Sequence, residues 1–245
     1  MATKTLLQFY VIFLYWQKKK GKSMHQFFTS AKMSVIFGIF MCLVLCILGF
    51  ILSPETITLQ TQDGGWIDKA TYIGYGLAIV TLLAFYKDFA GKRLLFWALL
   101  FLLVAAVFRE AGIQHMLTDT DTTAFKIRFF TNPNNPLYEK IRALAILLVV
   151  AVVSLYVIVR TALPLLKGLF KGRALSWTIA GLCATTIVSK CADRAHGNYF
   201  KWTGTHVSEQ VMPYLTLAEE GLEMFIPLWA VLACWQHHYL IQKRH

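Results

Sequence analysis

The stretch MSVIFGIFMCLVLCILGFIL, residues 33–52, decides the fold class, because its twenty residues include no charged side chain. A helix needs about 20 apolar residues to cross the hydrocarbon core of a bilayer. Further apolar blocks follow between polar segments, at 70–86, 94–108, 141–166, 174–189 and 214–241. The sequence therefore predicts an all-α fold, a polytopic membrane helix bundle of about six transmembrane helices.

The composition leaves little chain for a soluble domain. Of the 245 residues, 57% are hydrophobic and 15% are charged, whereas soluble domains average about 25% charged residues. We therefore divide the chain into a basic N-terminal segment, 1–32, and a six-helix transmembrane domain, 33–245. An apolar run at 6–16 precedes a lysine-rich run at 18–22. Both an interfacial helix with a basic anchor and a flexible leader fit this segment.

The basic residues are unevenly shared between the two predicted faces. The face that holds both termini carries 15 of the 24 Lys and Arg residues, and the opposite face carries 9 in longer loops. Basic residues accumulate on the cytoplasmic side of membrane proteins. Both termini are therefore predicted to be cytoplasmic, and the chain is predicted to be a multi-pass protein of the cell inner membrane.

The net charge of +11 raises the question of nucleic acid. Much of the Lys and Arg flanks apolar blocks, as lipid headgroups require. A basic groove with interleaved aromatic residues, which would indicate nucleic-acid binding, is absent. We therefore expect membrane lipids as partners, together with a possible protein partner in the membrane, and no nucleic acid.

Three polar clusters are expected to meet at the outer face, where the third and fifth spans end and the sixth begins. Ionisable residues at membrane depth are costly, so they call for a functional explanation. Spacings of three and four residues place the acidic side chains of each span on one helix face. The candidate ligand-binding residues are Arg109, Glu110, His115, Lys190, Asp193, Arg194, His196, Glu219, Glu220 and Glu223.

Three interpretations of these clusters stay open. The charges can form ion pairs that fasten neighbouring helices. They can bind an envelope-side ligand, namely an ion, a lipid headgroup or a protein partner. They can also form an intramembrane enzyme acting on a lipid or lipid-linked substrate, with the carboxylates as general base. The first interpretation is the commonest role of such charges. As a function, the second interpretation, a non-enzymatic or accessory protein, is the leading one, and the enzyme is the alternative.

No motif names a cofactor or a metal. Asp193 and His196 lie three residues apart on one predicted helix, which is a weak metal-ligand pattern. Arg109, Lys190 and Arg194 would repel a divalent ion, and no motif such as HExxH occurs. The cofactor, the metal and the catalytic residues therefore remain unassigned by the sequence.

The same three places carry a resemblance to a known family. Phe108-Arg109-Glu110, Lys190-Cys191-Ala192-Asp193-Arg194 and Glu219-Glu220-Gly221-Leu222-Glu223 resemble the F-R-E, K-x-x-D-R and E-E-x-L-E helix ends of a family of small polytopic bacterial inner-membrane proteins. The resemblance covers three short stretches and implies a membrane fold. The family has no assigned activity, so the resemblance implies no function.

Overall fold

The protein is helical throughout the residues that its structure, a computed structural model, describes. Those residues are 27–62, 64–112 and 127–242, and they contain no β-strand. The predicted all-α class is therefore confirmed. A 3-10 turn, Tyr86–Phe89, accompanies the α-helices, which are α1 (Ala31–Ile51), α2 (Pro54–Thr61), α3 (Trp66–Ala84), α4 (Arg93–Glu110), α5 (Ile127–Thr131), α6 (Leu137–Phe170), α7 (Ala174–Thr203) and α8 (Met212–Gln242).

Four of these helices are long and apolar enough to cross a membrane: α1, α3, α6 and α7. They coincide with the first, second, fourth and fifth predicted spans, which supports a transmembrane protein. Helices α4 and α8 coincide with the other two predicted spans. Their charged residues lie close to the apolar run, since α4 ends in Arg109 and Glu110 and α8 contains three glutamates near its start.

Helix α7 is longer than the apolar run that predicts it. The apolar run ends near Ser189, but the helix continues for more than three turns to Thr203. It stops where Gly204 adopts a left-handed conformation, with φ of 69°, and donates its N–H to the Phe200 carbonyl. The polar residues after Ser189 remain helical. Hydropathy predicts which residues lie in the membrane, and it does not predict where the helix itself ends.

Helix α8 lies at the centre of the bundle. It packs against α7, α3, α2 and α1, and residues along most of its length, from Leu217 to Tyr239, are buried. A helix enclosed by other helices does not have to be uniformly apolar, because its polar side chains can find protein partners. This position explains why α8 is less hydrophobic than α1 or α6.

Buried hydroxyl and amide groups join α8 to α7 and α1. Gln236 accepts a hydrogen bond from Thr178 at 2.6 Å, and the Ser34 and Thr178 hydroxyls lie 2.7 Å apart. Closer to the middle of the bundle, the Trp229 indole donates to the Thr185 hydroxyl at 3.0 Å. Such bonds hold α1, α7 and α8 together. In a membrane the hydrophobic effect contributes little to helix association, because lipid tails are as apolar as the helix surfaces.

The Trp229 ring fills the space left by two glycines. It packs edge-on against Phe37, with ring centroids 4.6 Å apart. A methyl group added at Gly181 would lie 2.5 Å from the ring, whereas one added at Gly38 would lie 3.8 Å from it. Gly181 is therefore required by close packing, and Gly38 leaves ordinary contact distance.

This geometry predicts different outcomes for two matched substitutions. Gly181→Ala should lower the free energy of unfolding by about 1–3 kcal/mol, the usual cost of overpacking, because the hydrogen bond to Thr185 restrains Trp229. Gly38→Ala should leave stability nearly unchanged. Thermal unfolding of the two purified variants in detergent measures the difference, and equal melting temperatures would contradict the packing described.

Candidate functional site

A buried carboxylate, Glu223, joins three helices. Its side chain is only 7% exposed. Arg109, at the end of α4, places one guanidinium nitrogen 3.2 Å from each carboxylate oxygen. Lys190 on α7 approaches to 2.7 Å, and the hydroxyl of Ser189 donates a hydrogen bond at 3.1 Å. The charge of Glu223 is thus met by two cations and a hydroxyl donor from two neighbouring helices.

Three further carboxylates share the same two cations. Glu110 lies 3.6 Å from the Arg109 guanidinium. Asp193 and Glu219 lie 3.7 Å and 4.0 Å from the Lys190 ammonium. These distances exceed those that Glu223 makes, so the outlying carboxylates interact with the cations less closely.

Two more residues lie within the electrostatic reach of this group. Glu220 is repelled by Glu223, Glu219 and Glu110 and attracted by Lys190, and within the described chain it makes no ion pair. The phenol of Tyr75, buried on α3, interacts with Arg109, Glu110 and Glu223. We define the Glu223 cluster as the residues that meet here, namely Tyr75, Arg109, Glu110, Ser189, Lys190, Asp193, Glu219, Glu220 and Glu223.

The Glu223 cluster is formally acidic. Five carboxylates face two cations, an excess of three negative charges among the described residues. Arg194 is next to the cluster along α7, but its side chain is exposed and makes no ion pair within the described ranges. Counting Arg194 would still leave the cluster with an excess of negative charge.

Exposure varies across the cluster. The side chains of Asp193 and Arg109 are 46% exposed and that of Lys190 is 38% exposed, in contrast to Glu223. The cluster therefore has a buried floor, formed by Glu223 and Ser189, and is open at Arg109 on α4 and at Lys190 and Asp193 on α7. A ligand that reaches this end of the bundle meets the outlying carboxylates before it meets Glu223.

Local sequence explains how α8 presents its acidic residues. Glu219 and Glu223 are one helical turn apart, with Glu220 between them. Pro227 has no N–H to bond the Glu223 carbonyl one turn earlier. Pro227 also packs closely on α3, since a methyl group added at Gly74 would lie 2.8 Å from its ring. Helix α8 is thus fixed against α3 one turn beyond Glu223.

The structure brings together seven of the ten predicted site residues and leaves two, Arg194 and His196, outside the Glu223 cluster. Arg194 is exposed, as described above. His196 stacks on His206, with ring centroids 5.6 Å apart, and no contact joins its ring to the cluster within the described ranges. His115 lies outside the described residues. Among those that are described, no three His, Cys, Asp or Glu side chains are grouped so as to hold a metal ion.

Sequence analysis missed Ser189 and Tyr75. Ser189 had a detectable signal, because it shares a helical stripe with Thr178 and Thr185, and both of those residues bond to α8. Tyr75 had none, since a tyrosine within an apolar span also fits a lipid-facing or core position. Only the packing of α3 against α8 brings it to the cluster.

Comparison with known proteins adds no family. A scan of family models finds no match to the chain, and searches of curated proteins and of solved structures find none either. The resemblance at the three helix ends therefore stays a prediction.

Proposed function

We propose that this chain is a multi-pass inner-membrane protein of six spans whose Glu223 cluster binds a cationic ligand at the envelope-side face, in a non-enzymatic or accessory role. The observation that carries the proposal is the excess of carboxylates over cations in a partly buried site. Uncompensated like charges close together are costly, and a bound positive charge relieves that cost.

The six-span arrangement rests on α4 and α8 as the two remaining spans. Helix α8 is almost as long as α6 and is packed among α1, α3 and α7, so its polar residues are shielded from lipid. Helix α4 has 18 residues, close to the lower limit of about 17 for a span. The excess of basic residues on the side of both termini then places the Glu223 cluster on the envelope side.

Within the cluster, different carboxylates have different roles. Glu223 is paired with Arg109 and Lys190 and accepts a hydrogen bond from Ser189, so it fastens α4, α7 and α8. The ligand-binding part consists of Glu110, Glu219 and Glu220, whose oxygens accept no hydrogen bond from the described residues. Within one cluster, Glu223 therefore holds the helices together, and the other three carboxylates bind the ligand.

The donor chemistry favours a monovalent positive charge. The outlying groups are carboxylate oxygens, which suit hard cations and ammonium groups. Arg109 and Lys190 remain within a few ångströms and oppose the approach of a divalent ion. An inorganic monovalent cation and the ammonium of a lipid headgroup share the required chemistry.

The orientation predicts the result of reporter fusions. Fusions after Lys87 and after Arg244 should report the cytoplasm, and fusions near Gly64, Asn134 and Gly204 should report the envelope side. An envelope-side signal at Lys87 would invert every loop and contradict the proposed topology.

Cation binding predicts a saturable gain in stability that depends on Glu220. Purified protein should melt at a higher temperature as sodium, potassium or choline chloride is added at constant ionic strength. A ligand at 100 times its dissociation constant stabilises by about 2.7 kcal/mol. Glu220→Gln removes a carboxylate without an ion pair within the described chain, so it should keep or improve basal stability and lose the response.

Glu55 provides the matched control. It is exposed on α2 and makes no ion pair within the described chain, so Glu55→Gln should retain the full response. Wild-type protein that gains no stability from any of the three cations would contradict the proposal. An undiminished gain in Glu220→Gln would place the bound cation somewhere else.

A further inference from the structure

A groove lies at the start of α7, several turns before Lys190, where the start of α1 meets the turn between α6 and α7. Its volume is about 530 Å³, within the range of about 300–1,000 Å³ common for small-molecule sites. The groove is lined by Ala31, Lys32, Val35, Ile36, Gly172 and Trp177. It shares no residue with the Glu223 cluster.

Direct contacts between α1 and the α6–α7 turn build this groove. Ser30 and Arg173 form an antiparallel backbone bridge. One turn further along α1, the Ser34 hydroxyl donates to the Ala174 carbonyl at 3.4 Å. Gly172 makes the turn possible with a φ of 66°. The groove is therefore formed by the packed ends of two long helices.

One end of the groove is basic and the rest is apolar. Lys32 contributes to the lining, and Lys171 and Arg173 flank Gly172 with exposed side chains. Within the described ranges, none of the three forms an ion pair. The chain has no Asp or Glu in residues 27–54 or 140–192, so the segments next to these cations in the sequence contain no carboxylate.

The apolar walls face the surroundings of the bundle and not its core. Val35, Ile36 and Trp177 are all exposed, and they belong to two helices, α1 and α7, that are long and apolar enough to cross a membrane. Tryptophan is enriched at the depth of lipid headgroups. An apolar wall that ends in a tryptophan and unpaired cations has the polarity profile of a phospholipid.

We propose that this groove binds an anionic phospholipid. An acyl chain lies along Val35, Ile36 and Trp177, and Lys32, Lys171 and Arg173 bind the phosphate. Basic pockets between transmembrane helices select anionic headgroups in this way. The zwitterionic phosphatidylcholine offers the same acyl chain with a headgroup whose ammonium the three cations repel, so it should bind more weakly.

Native mass spectrometry of the full chain in detergent tests this site. The protein is exposed to dioleoyl phosphatidylglycerol or to dioleoyl phosphatidylcholine, and bound lipid is counted. Phosphatidylglycerol should be retained in preference. A variant carrying Lys32→Gln, Lys171→Gln and Arg173→Gln should bind it about tenfold more weakly or worse, given the worth of each basic residue near an anionic surface. All three side chains are exposed, so the variant should fold.

The other basic turn supplies a control of equal charge. Lys87, Lys92 and Arg93 are also exposed, form no ion pair within the described residues, and lie on no wall of this groove. The triple Gln variant at these positions should keep wild-type lipid binding. Ile36→Trp fills the groove without changing charge and should weaken phosphatidylglycerol binding.

Three results would overturn the proposal. Equal retention of the two lipids would remove headgroup selection. Equal losses in the two triple variants would show that diffuse positive charge is responsible. Normal phosphatidylglycerol binding by Ile36→Trp would show that the groove does not hold the acyl chain.

Discussion

The buried carboxylate of Glu223 is the constraint on which the arrangement of this end of the bundle depends. A charge removed from water costs several kcal/mol unless it is paired closely. Here the pairing comes from Arg109 on α4 and from Lys190 and Ser189 on α7. Sliding either helix by one residue would take a partner out of reach, so Glu223 fixes the register of both against α8.

The rest of α8 extends this principle towards its other end. Two of its buried polar side chains hydrogen-bond to α7: Trp229 to Thr185, and Gln236 to Thr178. Close packing at Gly181 and Gly74 leaves little freedom for the helix to rotate. These contacts make α8 a rigid axis, and the charged groups near its start are held in fixed positions.

The fixed position of α8 supports the proposed binding of a cation. Because Glu223 is already satisfied, it can hold the helices without taking part in exchange with the surroundings. Glu110, Glu219 and Glu220 are then presented around it, and the described residues of the cluster include fewer cations than carboxylates. A preorganised set of acceptors binds a positive charge without first having to reorganise, which favours affinity.

The sequence predicts most of the long helices, but it does not predict where each helix ends. Apolar runs located α1, α3, α6 and α7, because burial in lipid imposes length and hydropathy directly. The extension of α7 to Thr203 was missed, since polar residues that remain helical leave no hydropathy signal. The connection between α1 and α3 also contains a short helix, α2. The Ser53 hydroxyl caps its start by accepting a hydrogen bond from the backbone N–H of Thr56.

In the candidate site, too, the sequence predicts relations within one helix and not contacts between helices. Helical spacing identified the acidic face of α8 and the Lys190–Asp193 pair, because those are local relations. Helical spacing could not predict the pairing between helices. That Glu223 contacts both cations, while Glu220 forms no ion pair among the described residues, follows from packing. The groove at the other end depends on the bridge between Ser30 and Arg173, residues far apart in the chain.

The most direct measurement of the central claim is an experimental density map of the protein in a lipid bilayer, at a resolution that shows ordered ions and headgroups. The account predicts non-protein density within hydrogen-bonding or ion-contact distance of at least two of Glu110, Glu219 and Glu220. It also predicts that Glu223 keeps Arg109 and Lys190 as its partners. Glu110, Glu219 and Glu220 all closed into ion pairs with protein side chains, with no density between them, would contradict a ligand site and leave only a fastening role.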